Sequence, residues 1–236
     1  MKKPKSPVPQ QTVLFRIIAL LTQFQLRHFV RNIKNTRTVL IVFVFLEGAT
    51  ALGTITMVAY LTNLPLLFPQ LGPSAFILFY TPMSMSASPR NCILSHTMAV
   101  VAGLFSIRLL AIIFPEVGLL NYEVLDWHRV AAIALAMGLI SVMMIATQSI
   151  HPPAAASALI AAMGYLENPV QLLGILSALV LLVLEAFLFN RLLGGLPYPI
   201  WRPDPKVSQK YRILAGLQEA KTTFWGQLAD KMFQQR

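Results

Sequence analysis

Four apolar runs, at residues 38–61, 92–114, 129–150 and 170–190, each reach the roughly 20 residues that a single helix needs to cross a bilayer. Only 12% of the 236 residues are charged and 56% are hydrophobic, against about 25% charged in a soluble domain. One compact bundle suffices for this length, so the sequence predicts an all-α, polytopic membrane helix bundle.

The net charge of +10 raises a nucleic-acid reading, which the positions of the charges oppose. Lys2, Lys3, Lys5, Arg16, Arg27, Arg31, Lys34 and Arg37 precede the first apolar run with no acid among them. A second basic group follows the last run. Basic flanks on apolar spans mark cytoplasmic segments, so the charges orient the chain and no nucleic-acid partner is expected. The division predicted is a basic N-terminal segment over 1–37, a transmembrane domain over 38–190 and a basic cytoplasmic tail over 191–236. Residues 13–30 read as an interfacial amphipathic helix, and the tail from Val207 reads as another, through Tyr211, Leu214 and Leu217. No cleavable leader is expected, and the scarcity of serine near the start favours a bacterial inner membrane over a chloroplast envelope. The lone Cys92 excludes an internal disulfide and a tetrathiolate metal site.

Two shorter apolar pieces remain, "GPSAFILFY" at 72–80 and "PPAAASALIAAMG" at 152–164. The basic termini and Arg90 belong inside, and the 115–128 connection holds Glu116, Glu123 and Asp126 and no Lys or Arg. Placing that connection outside closes only if both short pieces also cross the membrane. Each half is then long span, proline-started short piece, long span. Pro73 aligns with Pro152, and Pro89 and Pro169 stand just before the third span of each half. Three crossings per half invert the second half against the first, an arrangement used by transporters with a site near the midplane.

Proline suits the first position of a helix, where its missing N–H would lack a partner anyway. Pro73 and Pro152 therefore read as helix starts capped by Gly72 and His151. The amides of Ser74, Ala75 and Phe76, and of Ala154 and Ala155, would then be unpaired. Helix N-termini attract anions, and small neighbours (Gly72, Ser74, Ala75, Ala154, Ala155, Ser157) would let a compact one approach. The other reading is that the prolines kink long helices and the small residues serve packing.

These landmarks resemble the HPP family of integral membrane proteins, named for the tripeptide at His151-Pro152-Pro153. The resemblance rests on "LGPSAFILFYTPMSMSASPRNCILSH" at 71–96 and "HPPAAASALIAAMG" at 151–164, in order across about 38–190. Family members commonly read "HPPAGATAL"; here Ala155 replaces the glycine and Ser157 the threonine, and Ser95 stands where a glycine often precedes the histidine. Cyanobacterial and chloroplast members are associated with nitrite transport. The resemblance therefore implies nitrite as substrate, with formate, chloride and bicarbonate as alternatives that charge and periodicity do not separate.

His96 and His151 are candidate donors to an oxyanion or proton carriers, since imidazole titrates near neutrality; either could equally be a hydrogen-bonded interior histidine. Arg90 and Asn91 read first as an anchor and a cap, and second as a cationic inner mouth. Glu47 and Arg108 are expected to pair within the bundle, and Glu185 and Arg191 to snorkel or pair at the inner boundary. Met83 and Met85 invite a copper reading, but isolated methionines in apolar helices usually pack. No metal and no cofactor are expected. Ser95 and His96 are adjacent on a helix and cannot form a dyad, and hydrolase and nucleotide motifs are absent, so no enzyme is expected. Ala99-x-x-x-Gly103 and Ala134-x-x-x-Gly138 allow close helix packing, including in a homo-oligomer.

The expected function is movement of a small monovalent anion, nitrite first, through a midplane site at the two short-helix starts. An inside-negative potential opposes anion entry by about 2.3 kcal/mol per charge per 100 mV, so uptake needs coupling, a gradient or consumption inside. The non-transport alternative is a membrane-anchored assembly or regulatory protein acting through its basic tails.

Overall fold

The computed structural model describes residues 22, 23, 25, 26, 28, 29, 35–120, 125–166 and 168–217. Among these the regular structure is helical: α1 Thr36–Thr62, α2 Leu71–Tyr80, α3 Pro89–Ile113, α4 Trp127–Ala146, α5 Ala154–Ala162, α6 Pro169–Leu192 and α7 Pro205–Lys210, with 3-10 turns at Pro115–Val117 and Arg212–Ala215. Helices α1, α3, α4 and α6 are long and apolar enough to cross a membrane, and α2 is a shorter apolar helix. Large apolar side chains such as Ile41, Phe45, Ile112, Ile145 and Leu173 are exposed on their outer faces, as lipid requires.

Each long helix starts on a side-chain cap. Asn35 accepts from the Thr38 amide, Ser88 from Asn91, Asp126 from Arg129 and Asn168 from Val170, satisfying donors that the helix itself leaves open. Pro89 and Pro169 are the first residues of α3 and α6, where the absent N–H costs nothing. The ends are equally local. Helix α4 stops at Ala146, four residues before the apolar run does. The Thr147 hydroxyl turns back to the Met143 carbonyl, and Gln148 takes a left-handed φ of 51°. Helix α1 likewise ends on a left-handed residue, Asn63, at φ 55°.

The short helices begin differently from the sequence expectation. Helix α2 starts at Leu71 with Gln70 before it, so Pro73 is its third residue and Gly72 is not the cap. The Ser74 amide donates to the Gln70 carbonyl at 3.2 Å, while Ala75 and Phe76 lie within α2. At α5 the amides of Ala154 and Ala155 donate to the carbonyls of His151 and Pro152 at 3.0 and 3.1 Å. The prolines hold a tight turn whose carbonyls face forward, and 3-10-type bonds close on them. The amides expected to be unpaired are paired.

Helix α2 packs on α1 and α6, and α5 packs on α4 and α3; α3 also packs on α4, α1 on α6, and α3 on α6. A large apolar core joins α1, α2, α3 and α6 around Ile55, Leu78, Phe79, Ile175 and Leu182. A second joins α3, α4 and α5 around Ala99, Ala136, Ile140, Ala154 and Ala158. Gly103 lets α5 approach, because a Cβ there would strike the Ala158 carbonyl and the Ala161 methyl; Gly174 on α6 does the same for the Pro65 carbonyl. The Ala99–Gly103 pair thus serves packing within the chain, whereas Ala134 and Gly138 face outward.

The described part of the C-terminal segment is not one continuous helix. Helix α7 stops at Lys210, and after Tyr211 the 3-10 turn buries Leu214 and Ala215 against Leu26, Leu40, Met83 and Leu196. Residues 218–236 and most of the 13–30 segment lie outside the described residues.

Candidate functional site

The first turn of α2, the second turn of α3 and the turn leading into α5 bring Ser74, His96 and His151 together. The Ser74 Oγ lies 3.0 Å from His96 Nε2 and 3.0 Å from His151 Nε2. His96 Nδ1 lies 2.7 Å from Ser157 Oγ, and His151 Nδ1 lies 2.7 Å from the Ser86 carbonyl. The ring centroids are 5.2 Å apart. Ser74, His96, His151 and Ser157 are all fully buried, so four polar side chains meet inside an apolar bundle. Polar groups in such a place are costly unless bonded to one another and mark functional sites in membrane proteins.

Of the residues singled out in the sequence, Ser74, His96, His151 and Ser157 form this cluster. Gly72 is beside it in chain but has open space where a Cβ would stand, so packing does not demand a glycine there. Ala75 belongs to the large apolar core and Ala154 to the second one; Ala155 is half-buried. Arg90 and Asn91 are buried and structural. Arg90 donates to the Thr147 and Gln148 carbonyls at 2.9 and 3.1 Å and to Asn91 Oδ1, and Asn91 Nδ2 donates to the Met85 carbonyl. Arg90 therefore locks α3 to the end of α4.

Other pairings differ from expectation. The buried Glu47 carboxylate has no hydrogen-bond partner, and Arg108 is exposed instead of meeting it. Arg191 donates to the Tyr198 carbonyl and stacks on Phe187. Met83 is buried while Met85 is half-exposed. Ser95 donates to the Ser149 carbonyl.

Three groups had no distinctive sequence signal. Gln70 is fully buried, one turn before Ser74, and neither atom of its amide has a partner. Arg129 is buried and donates to the Leu119 and Met163 carbonyls, fastening the far end of α5. Tyr198 donates to the Ala87 carbonyl at 2.6 Å; burial, and then the nearby Cys92, push its phenol well above the ordinary range, which keeps the proton on this donor. Near that far end, Arg108 lines a hollow of about 220 Å³ with Leu104, Ile107, Leu120, Ala161, Gly164 and Leu166. At the start of α4, the backbone amide of Arg129, with His128 beside it, holds the half-buried Asp126 carboxylate below its ordinary range.

The donor atoms of Cys92, His96 and His151 lie within 4.8 Å of one another, a spacing that could hold a soft cation. All four ring nitrogens already have oxygen partners, however. A cation taking one nitrogen from each ring would have to displace at least the Ser74 hydroxyl, or else Ser157 or Ser86, first.

A family model described as "HPP, transmembrane region" matches residues 33–199. A transmembrane protein of Dictyostelium discoideum is 32% identical over 143 residues, which are 59% of this chain and 46% of that protein. The chain thus spans about half the length of this curated relative. No solved structure matches the chain.

Proposed function

The chain belongs to the HPP transmembrane family, and on that premise we propose that it carries a small monovalent anion, nitrite first, across its membrane at the buried serine–histidine cluster. The observation that carries the reading is Ser74 bridging His96 and His151 at 3.0 Å each, where the start of α2 meets α3 and the turn before α5 inside apolar surroundings. An anion entering such a place must exchange its water for N–H and O–H donors. Ser74 can turn its hydroxyl toward a ligand. Gln70, one turn earlier on the same face, holds an amide with no partner. These side chains take over the role that the sequence assigned to backbone amides.

The packing supports two inverted halves. Exchanging α1 with α4, α2 with α5 and α3 with α6 turns each main helix pairing among these six into a member of the same set, the α3–α6 pairing into itself. The left-handed residues Asn63 and Gln148, one after each half's first helix, fit the same exchange. Ser74 and His96 would come from one half, His151 and Ser157 from the other. The hollow beside Arg108 would be an approach for the anion from the end of α5.

The test is nitrite uptake by proteoliposomes, taken as the rate above protein-free vesicles, with formate, chloride and bicarbonate as competitors. Gln70→Leu, which removes the unpartnered amide, should lower that rate at least tenfold. Uptake no faster than in protein-free vesicles, for nitrite and all three competitors, would eliminate the transport reading.

A further inference from the structure

We infer that Ser157, His96, Ser74 and His151 form a proton relay of fixed polarity, which loads one proton with each transported anion; this coupling rests on the transport reading above. The polarity follows from which atoms can donate. The Ser86 carbonyl can only accept, so His151 carries its hydrogen on Nδ1, and in a neutral ring Nε2 then accepts. Ser74 has one hydroxyl hydrogen and gives it to His151 Nε2. His96 Nε2 must therefore donate to Ser74 Oγ, which leaves His96 Nδ1 to accept from the Ser157 hydroxyl. With both rings neutral, one arrangement satisfies all four bonds. It runs from Ser157 through His96, Ser74 and His151 to the Ser86 carbonyl.

A proton delivered to the Ser157 oxygen moves along this chain by exchange. Ser157 passes its own hydrogen to His96 Nδ1, His96 passes its Nε2 hydrogen to Ser74, and Ser74 passes its hydrogen to His151 Nε2. One proton has entered, no bond other than O–H and N–H has changed, and the added charge rests on His151. The three bonds between Ser157 and His151 survive with their directions reversed, and the His151–Ser86 bond keeps its own. The chain ends there, because a backbone carbonyl is too weak a base to take the Nδ1 hydrogen. The rings are too close, at 5.2 Å between centroids, for two like charges to be stable together in a poorly polarisable interior. The pair therefore takes a single proton. That stored charge sits beside Ser74, where the anion is proposed to bind, so proton and anion travel as a neutral pair.

The entry end has a side. Ala161 lines the hollow beside Arg108 and stands one helical turn beyond Ser157 on the same face of α5, about 6 Å along the axis. The proton therefore loads from the end of the bundle at which α3 stops. The other titratable groups on the packed elements are turned to different partners or kept apart. Arg90 of α3 holds Thr147 and Gln148, Arg129 of α4 holds Leu119 and Met163, and Tyr198 after α6 holds Ala87. Glu47 of α1 has no hydrogen-bond partner, and Glu185 of α6 is directed to Thr54. The Cys92 thiol of α3 is the further titratable group within reach of the rings.

Two measurements test the relay on the full-length protein. The first is nitrogen NMR of 15N-histidine protein in nanodiscs, assigned with His96→Gln and His151→Gln. It should find the hydrogen on Nδ1 of His151 and on Nε2 of His96; the same tautomer on both rings overturns the wire. The second is nitrite uptake by proteoliposomes, above protein-free vesicles. The accumulation ratio should grow about tenfold for each unit of imposed pH gradient and should ignore a potassium diffusion potential. In Ser157→Ala the uptake should fall at least tenfold and lose its response to the pH gradient, and Ser157→Thr, which restores the hydroxyl, should recover both. Uptake that follows the potential and ignores the pH gradient would overturn the relay and leave anion transport standing. Absence of any protein-dependent uptake would overturn the transport reading and the coupling together.

Discussion

Helix α5 is mostly alanine and is fastened by buried arginines on both sides, whereas α2 carries Phe76 and Tyr80 out to the bundle surface. Arg90 holds the Thr147 and Gln148 carbonyls in the segment leading into α5, and Arg129 holds the Met163 carbonyl just beyond it. Along its length α5 presses so closely on α3 that only a glycine fits at position 103. Helix α2 is tied by the Asn190 amide to the Leu78 carbonyl at 3.1 Å, and the space beside Gly72 is open. A hollow of about 690 Å³ lies between α1 and the Phe76–Tyr80 face. The two short helices thus carry unequal packing. Helix α5 is held tightly in place, and α2 adds Ser74 to the polar cluster through His96 of α3 and His151 of the turn before α5.

The greatest expected effect is at the scaffold. Gly103→Leu should destabilise by at least the ~1–3 kcal/mol that overpacking costs, because the Ala158 backbone carbonyl cannot swing aside as a side chain would; thermal unfolding in detergent reads this. A mild effect there would break the contrast between the two helices. Next, Arg90→Met should cost about 2 kcal/mol or more, since it leaves two carbonyls at 147 and 148 without their donor and a buried carbonyl left bare costs ~1–3 kcal/mol. The same unfolding measurement applies, with Asn190→Leu as the matching cut at α2, expected nearer ~1 kcal/mol.

Asp126→Ala removes the cap of α4, on which α5 leans, and should lower stability modestly at neutral pH. The folded carboxylate is held below its ordinary value of 3.8, chiefly by the Arg129 amide. Its contribution is therefore present above that value and is lost as pH falls through the lowered one. The parent protein and the variant should converge in stability under acid, and a gap that persists well below pH 3.8 would assign the effect to something else. The smallest effect is expected at α2: Gly72→Ala should lie within about 0.5 kcal/mol of the parent, or stabilise by up to ~1 kcal/mol, because helix propensity improves and nothing is struck. A large loss there would show that the open space at Gly72 is filled by something in the working protein.

The spans were legible because lipid imposes length: 92–114 became Pro89–Ile113 and 170–190 became Pro169–Leu192. The end of α4 was not, because Ile145 and Ile150 continue the apolar run past the residue where Thr147 and Gln148 turn the backbone. The four members of the polar cluster could be named from proline-started helices and histidines in spans. Their mutual bonds could not, since Ser74 and His151 are 77 positions apart and no periodicity reports a contact of that range. The proline rule itself misled at the helix starts. It marks where an N–H is missing, but says nothing of whether Gln70 and His151 turn their carbonyls forward to catch the next ones. Arg129 looked like the edge of a span, and only its reach to Leu119 and Met163 reveals a clamp.

The bonds from Ser74 to His151 and from His96 to Ser157 also set an order of events during synthesis. Ser74 and His96 leave the ribosome well before residues 151–157 exist, so a nascent chain holding only the first three helices meets the bilayer with the Ser74–His96 pair still lacking its partners His151 and Ser157. Such an intermediate has reason to stay beside the insertion machinery, and a protein cut short before residue 151 would present quality control with polar groups that the missing half was to receive.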